Sequence, residues 1–440
     1  MKRSTTLELL GELKSQPRAL RFAAALYLLH ILAQGKTALS ELTAFLALVF
    51  LGFAIGRGNV RPTFHIIYFP LFLYAAASTL SAVVNGATIH AFADAITWFK
   101  IMLFPAALIL FRSIPALRHL ALRTQIFFAV IISINGIVEY LSQDQSTLEN
   151  RITGPVSHVM TFSGLLLPPA LLLLVLAFHR RRPWLIASAA LLSLALFLTY
   201  TRSVWLGWAI AAVLLLVLER PRWIPVALGA GLIFLTFMPM SFFGRLVSTF
   251  DVEQSSNLDR IRMAEGGVEM IKDYPVMGVG PAYVKEVYPL YRRADAPRFR
   301  IPHLHNNILQ LWAERGVLGL TAYLLLIGLF LRECIRGWNG PNREFAQAGV
   351  AITVGLAVAG LFEFNFGDTE VFFMTLGLMA LIVAFLERPD ETAPRSVESR
   401  AISAAGQGEL DPAGGIARRS TNELLRPVVA AGSEPAMPSP

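Results

Sequence analysis

The chain has 440 residues, of which 55% are hydrophobic and 15% charged, and it carries a formal net charge of +8 at pH 7. This apolar content excludes an ordinary soluble globule, and the single cysteine excludes an intrachain disulfide framework or a thiolate metal site. The basic excess lacks the interleaved aromatic pattern of a single-strand binder, so no nucleic-acid partner is expected.

Met1-Lys2-Arg3 has the charge of a signal-peptide start, but a long polar stretch follows and no cleavage site is evident, so the first apolar run reads as a retained span. Apolar runs then recur at 19–34, 38–56, 65–84, 92–111, 121–139, 159–178, 184–201, 203–218, 223–240, 306–331, 346–364 and 371–386. Most are long enough to cross a hydrocarbon layer about 30 Å thick as helices, which predicts an all-α, polytopic membrane protein with about twelve transmembrane helices. The expected organisation is a bundle over 1–240, a large outer loop containing short helices over 241–305, further spans over 306–387, and a disordered cytoplasmic tail over 388–440 rich in Pro, Ala, Gly and Ser. No short-period repeat is visible.

Lys2, Arg3, Lys14, Arg18 and Arg21, then Arg57 and Arg61, Arg112 and Arg118, Arg180 to Arg182, Arg220 and Arg222, and Arg332, Arg336 and Arg343 fall on alternate loops. Loops rich in these residues stay cytoplasmic, so both termini are expected inside and the 241–305 loop outside, periplasmic in a Gram-negative cell. The intervening short loops carry little beyond Lys36 and Arg151. Cys334, near the cytoplasmic end of a span, reads as a small apolar residue.

Within the outer loop, Ser256 and Asp259 have capping-box spacing, and Leu258, Ile261, Ala264, Val268 and Ile271 recur at helical intervals, which predicts an amphipathic helix over 257–273. Tyr274-Pro275 ends it and Gly278-Val279-Gly280-Pro281 turns the chain. Arg260 and Arg262 are two positions apart, about 200° around the helix, so only one is expected to face a site. Further on stand Tyr291, Arg292, Arg293, Arg298 and Arg300; these either form a solvated face at lipid phosphates or attract an anionic lipid-linked substrate.

Arg202, with Thr199, Thr201 and Ser203 around it, is expected at the outer membrane boundary, against the loop-charge rule. It either snorkels to headgroups or binds a ligand. A diphosphate suits it, because planar guanidinium groups bind phosphate oxygens in pairs, and Arg202 with Arg260 would make a clamp. His305 is the candidate proton acceptor, with His303 competing for the role; the alternative for His305 is a backbone-bonded neighbour of the helix cap at Asn306. No carboxylate lies close in sequence to the His-x-His pair, so a metal site is not expected. Lys100, in mid-span, should face a wet cavity, paired with Asp94, Glu139 or Glu363, or touching phosphate. Asp368 and Glu370 either orient a catalytic group or are solvated.

Three blocks together resemble the O-antigen ligase family, within the superfamily of O-antigen ligases, polymerases and related oligosaccharyltransferases. They are Arg202-x3-Leu206, Arg260 ahead of Pro275-x-x-Gly278-x-Gly280, and His305-Asn306 followed by Gly316-x-x-Gly319. They occur in the family's order, amid spans and one large outer loop; Ala264 departs from the Trp that relatives often carry there. The resemblance implies transfer of O-antigen polysaccharide from undecaprenyl diphosphate to a lipid A-core sugar at the periplasmic face of the bacterial inner membrane. Such transfer is inverting, independent of metal or other cofactor, and uses His305 as base with Arg202 and Arg260 on the diphosphate. The further candidate substrate contacts are Arg262, His303, Asn306, Lys100, Tyr291, Arg292 and Arg293, and membrane lipids are the remaining partners.

A polymerase of the same superfamily is the nearest rival, and Arg262-x15-Gly278 has a spacing associated with polymerases. Protein-glycosylating relatives use the same donor. A flippase or transporter would instead gather its polar site near the membrane midplane.

Overall fold

A computed structural model of the chain describes residues 5–86, 98–142, 151–236, 240–248, 251 and 254–387. Among these residues there is no strand, and every predicted apolar run contains a helix. The predicted tail and Asp94 lie outside the described residues.

A short helix, α1 (Thr6–Ser15), opens the chain. Thr5 and Glu8 form a reciprocal capping box at its start, satisfying two otherwise unpaired donors. The bundle follows as α2 (Arg18–Ala33), α3 (Thr37–Gly56), α4 (Tyr68–Val84), α5 (Leu103–Ser113), α6 (Pro115–Ser142), α7 (Val159–Arg180), α8 (Pro183–Leu198), α9 (Arg202–Glu219) and α10 (Ile224–Thr236). The 241–305 segment carries most of α11 (Met240–Val247), with α12 (Ser255–Asp273) and α13 (Val284–Tyr291); α14 (Asn307–Gly337), α15 (Arg343–Ala359) and α16 (Thr369–Leu386) complete the bundle.

Among the described residues, six helices, α3, α6, α7, α9, α14 and α16, are long and apolar enough to cross a membrane. The expected count of about twelve is therefore met only in part: α4 and α8 are apolar but shorter. The run predicted over 223–240 yields only the 13-residue α10. Burial separates centre from rim. The most apolar stretches of α7 and α16 are 78% and 72% buried, whereas those of α3 and α9 are 33% buried and turn aliphatic side chains outward. Small residues allow close packing where α9 crosses α15, since a Cβ on Gly207 would stand 2.4 Å from the Gly355 carbonyl oxygen.

Contacts between loops define two ends. At one, Arg112 holds Glu387 and the Thr63 carbonyl, Arg118 donates to the Ala384 carbonyl, and Arg180 meets Glu344. At the other, Lys100 donates to Thr369, Arg151 to the Thr199 carbonyl, and Arg260 to the Phe362 carbonyl.

Two local expectations are corrected. The outer-loop helix begins at Ser255 behind Gln254, without a side-chain cap, because Asp259 turns instead to Arg298 at 3.0 Å. Lys100 lies on a helical stretch that breaks at Met102 ahead of α5, and its ammonium pairs with Glu41 at 3.0 Å; of the expected carboxylates that are described, neither Glu139 nor Glu363 holds it.

Candidate active site

The site is built on a joint between the outer loop and α14. At Gly316 the helix adopts φ 63°, ψ −168°, a kink that only glycine accommodates here, since a Cβ would stand 1.8 Å from the Val276 carbonyl oxygen. The carbonyls and amides freed by the kink bond to the turn after α12. Val317 N–H donates to the Pro275 carbonyl at 3.0 Å, while Val279 and Gly280 N–H donate to the carbonyls of Ala313 and Glu314 at 2.8 and 3.0 Å. Gly278 (φ 69°) is as tightly placed, a Cβ there lying 2.4 Å from the Glu314 carbonyl carbon. The two glycine blocks are thus two faces of one backbone junction.

Beside the junction lies a buried polar network. Glu314 and Arg315 form an ion pair, Arg315 also bonds Ser78 at 2.8 Å, and Gln310 donates to Glu314 at 2.7 Å while accepting the Leu304 amide at 2.7 Å. This links a buried charge pair to the backbone just ahead of His305. None of these residues was selected from sequence, where they read as part of an apolar span.

His305 holds φ 50°, an uncommon conformation for a residue with a side chain, and Asn306 caps α14 by accepting the Leu309 amide at 3.0 Å while donating to the Leu361 carbonyl. The His305 Nδ1 lies 2.9 and 3.0 Å from the two carboxylate oxygens of Glu363. Burial alone drives the Glu363 carboxyl upward, but the hydrogen bond and charge of His305, with His303 and Arg260, bring it below its ordinary value. An ionised Glu363 accepts from Nδ1–H, which fixes the tautomer and leaves the Nε2 lone pair available. His303 Nδ1 instead accepts the His305 amide at 3.3 Å. Burial pushes His303 down to about 4, so it is neutral at pH 7, and its ring is centred 4.2 Å from that of His305.

Arg260 brings the outer-loop helix to this dyad, its Nε donating at 3.2 Å to the carbonyl of Phe362, next to Glu363. The Arg202 guanidinium bonds Ser248, Gln254, Ser256 and Asn257, which seat it under the start of α12. Arg151 completes the group, bonding the Thr199 carbonyl and Thr201 at 2.9 Å each. Its guanidinium is pushed down to about 10, first by burial and then by the charges of Arg245, Arg260 and Arg202. Burial and the charge of Arg260 likewise lower Arg245. Four guanidinium groups sharing one region remain charged at neutral pH, and such a concentration of positive charge fits a polyanion. The two arginines expected to form a clamp stand within this larger group. Arg151 was visible in sequence as an exception to the loop-charge rule, the same signal that marked Arg202.

Other expected contacts lie elsewhere. Arg262, on the opposite side of α12, pairs with Glu265 and Asp295; Arg293 also reaches Glu265 at 3.4 Å. Tyr291 donates to Asp273, and Arg292 sits over the Phe299 ring. These residues hold the outer loop together rather than meeting His305. Asp368 accepts from Thr161 and caps α16; burial pushes its carboxyl up to about 7 against the Thr161 bond, with Glu370 adding to the rise. Glu370 accepts from Thr37. The carboxylate that orients the histidine is Glu363, 58 positions away in sequence. It also overturns the premise that no acid stands near the His-x-His pair: ligand atoms of His303, His305 and Glu363 all lie within 4.8 Å of one another, close enough to share a cation.

Residues 186–324, which contain Arg202, Arg260, the junction and His305, match the O-antigen ligase family model. The chain is also 28% identical over 89 residues to a provisionally named polysaccharide ligase of Rickettsia conorii. That match covers 20% of this chain and 20% of the relative's length. The chain resembles the O-antigen ligase family, as its motif blocks indicate.

Proposed function

We propose that the protein is an O-antigen ligase, a glycosyltransferase that moves polysaccharide from undecaprenyl diphosphate to a sugar hydroxyl of lipid A-core. The observation that carries this reading is the His305–Glu363 contact beside the group of Arg151, Arg202, Arg245 and Arg260. His305 Nε2 takes the proton of the acceptor hydroxyl as its oxygen attacks the anomeric carbon; Glu363 stabilises the imidazolium that forms. The bond from the anomeric carbon to the diphosphate oxygen breaks, and the electron pair leaves with the diphosphate, whose charge the arginines spread. Attack opposite the leaving group inverts the anomeric centre.

In this reading about twelve helices cross the bacterial inner membrane, some of them short, with both termini cytoplasmic and the 241–305 segment in the periplasm. The partners are the lipid-linked donor, lipid A-core and membrane lipids. A polymerase shares the donor and differs only in acceptor. A metal-assisted variant is favoured by one observation, the His303–His305–Glu363 spacing.

Purified protein incubated with undecaprenyl-diphosphate polysaccharide and lipid A-core, with and without EDTA, tests these readings together. Polysaccharide joined to lipid A-core at full rate in EDTA is the expected result. Chain extension on the lipid diphosphate instead would make the protein a polymerase, and loss of product on chelation would make the dyad a cation site.

A further inference from the structure

Beside the dyad is a cavity of about 660 Å3, whose wall includes His303 and Glu363. Its lining draws on the whole bundle: Lys100, Thr161 on α7, Lys285 on α13, Gln310 and Arg315 on α14, and Asp368 at the head of α16. None of Arg151, Arg202, Arg245 and Arg260 lines it. Glu363 faces both regions, since it forms part of the cavity wall and its carboxylate interacts with Arg260. Glu363 therefore stands between a cluster of positive charge and the cavity, while His305, bonded to that carboxylate, lies just behind the wall that Glu363 and His303 form.

A transfer with inversion needs the attacking hydroxyl and the departing diphosphate on opposite sides of the reacting carbon, with the hydroxyl within reach of the base. If the arginines take the diphosphate, the cavity is the side left for the attacking hydroxyl. Its volume lies within the roughly 300–1,000 Å3 of small-molecule sites, and its lining sets hydroxyl, amide and charged groups among the aromatic rings of Tyr74, Phe364, Phe366 and Phe372, a mixture that suits a saccharide, whose hydroxyls bond and whose C–H faces stack on rings.

The charges in the lining are not equivalent. Lys100 is held by Glu41 and Thr369, and Arg315 by Glu314 and Ser78. Lys285 is exposed on α13, and among the described residues no carboxylate lies within ion-pair distance of it. The carboxylates of the lining, Glu314, Glu363 and Asp368, are engaged by Arg315, His305 and Thr161, so Lys285 is the lining cation available to a ligand.

We propose that this cavity holds the acceptor saccharide and that Lys285 meets an anionic substituent of that acceptor, a phosphate monoester or a sugar carboxylate. The assignment rests on the transferase reading above. It makes Lys285 a specificity contact rather than a catalytic residue: the lysine selects an acceptor by charge, while the proton leaves through His305.

The test is steady-state transfer with donor and acceptor varied separately. Lys285→Gln is expected to raise the acceptor KM about tenfold, the weight of one charge-assisted hydrogen bond, with donor KM and kcat within about twofold of the parent. Lys285→Arg should restore the acceptor KM. Lipid A-core treated with phosphatase, or reduced at its carboxyl groups with carbodiimide and borohydride, should reproduce the rise in the parent protein; the effective treatment identifies the anion and should add nothing to Lys285→Gln. An unchanged acceptor KM in Lys285→Gln, a rise confined to the donor, or indifference of the parent to both treatments would overturn the assignment while leaving the transferase reading intact. Absence of any product from the parent protein would overturn both.

Discussion

The Nδ1 nitrogen of His305 lies 2.9 Å from a carboxylate oxygen of Glu363, on a segment 58 positions further along the chain. That contact joins the residue just ahead of the α14 cap to the short segment between α15 and α16. It commits one imidazole nitrogen to the protein and leaves the other for substrate. Glu363→Gln keeps the shape but replaces the anion, so kcat is expected to fall about 100-fold with little change in either KM. His305→Ala is expected to fall further, about 1,000-fold or more. Measured kcat ratios check this; a Glu363→Gln variant as fast as the parent would remove the carboxylate from the mechanism.

The arginines are expected to act on the donor alone. Arg202→Lys retains charge and loses the planar fork, and should lower turnover about 10- to 100-fold. Arg151→Gln and Arg245→Gln should raise donor KM several-fold and leave acceptor KM unchanged. Initial rates at varied lipid diphosphate decide the matter, and an effect on acceptor KM would place these arginines elsewhere in the reaction.

The junction makes a stability prediction independent of catalysis. Gly316→Ala requires a side chain at φ 63° and a carbon 1.8 Å from the Val276 carbonyl oxygen, and should cost about 3 kcal/mol or more. Gly328→Ala, on the same helix with open space around it, should be neutral or mildly stabilising. Thermal unfolding of both proteins in detergent gives the comparison, and equal Tm values would mean the kink relaxes freely.

Acid should loosen the site before it loosens the bundle. His303 is held at about 4 in the folded protein against an ordinary 6.5, so between these values the unfolded chain binds more protons. Its stabilising contribution, at most about 3 kcal/mol, is complete above the unfolded value and is lost as pH falls through the window. Glu363, also held below its ordinary value, extends the loss to lower pH. Tm recorded from pH 7 to 4 should decline, and His303→Asn should flatten that decline; a parent profile already flat over this range would contradict the burial of a neutral ring.

The bundle was legible because a span announces itself by apolar length, and each predicted run does contain a helix. The break at Met102 was missed because 92–111 was read as one apolar run, although Pro105, which has no amide to give the Ile101 carbonyl, marks the place. His305 and Arg202 stood out as polar groups at the ends of apolar runs, Arg260 through its place in the outer-loop helix and its motif block, and the opposed directions of Arg260 and Arg262 followed from helix geometry. Glu363 was weighed only as a partner for Lys100, because nothing in linear order relates it to a histidine on another helix. Gly316 and Gly278 appeared as separate motifs; their meeting is a tertiary fact carried by main-chain atoms, which no side-chain pattern records.

The interlocking of the 275–280 turn with the kinked α14 separates what must stay from what is free to vary. Anchored there and again at the cap of α14, the intervening stretch behaves as a strap with both ends tied, so in the proposed transferase exchange of exposed side chains such as Lys285 is expected to change which sugars are admitted without shifting His305. Substrate range can drift in such a molecule while its chemistry stays fixed.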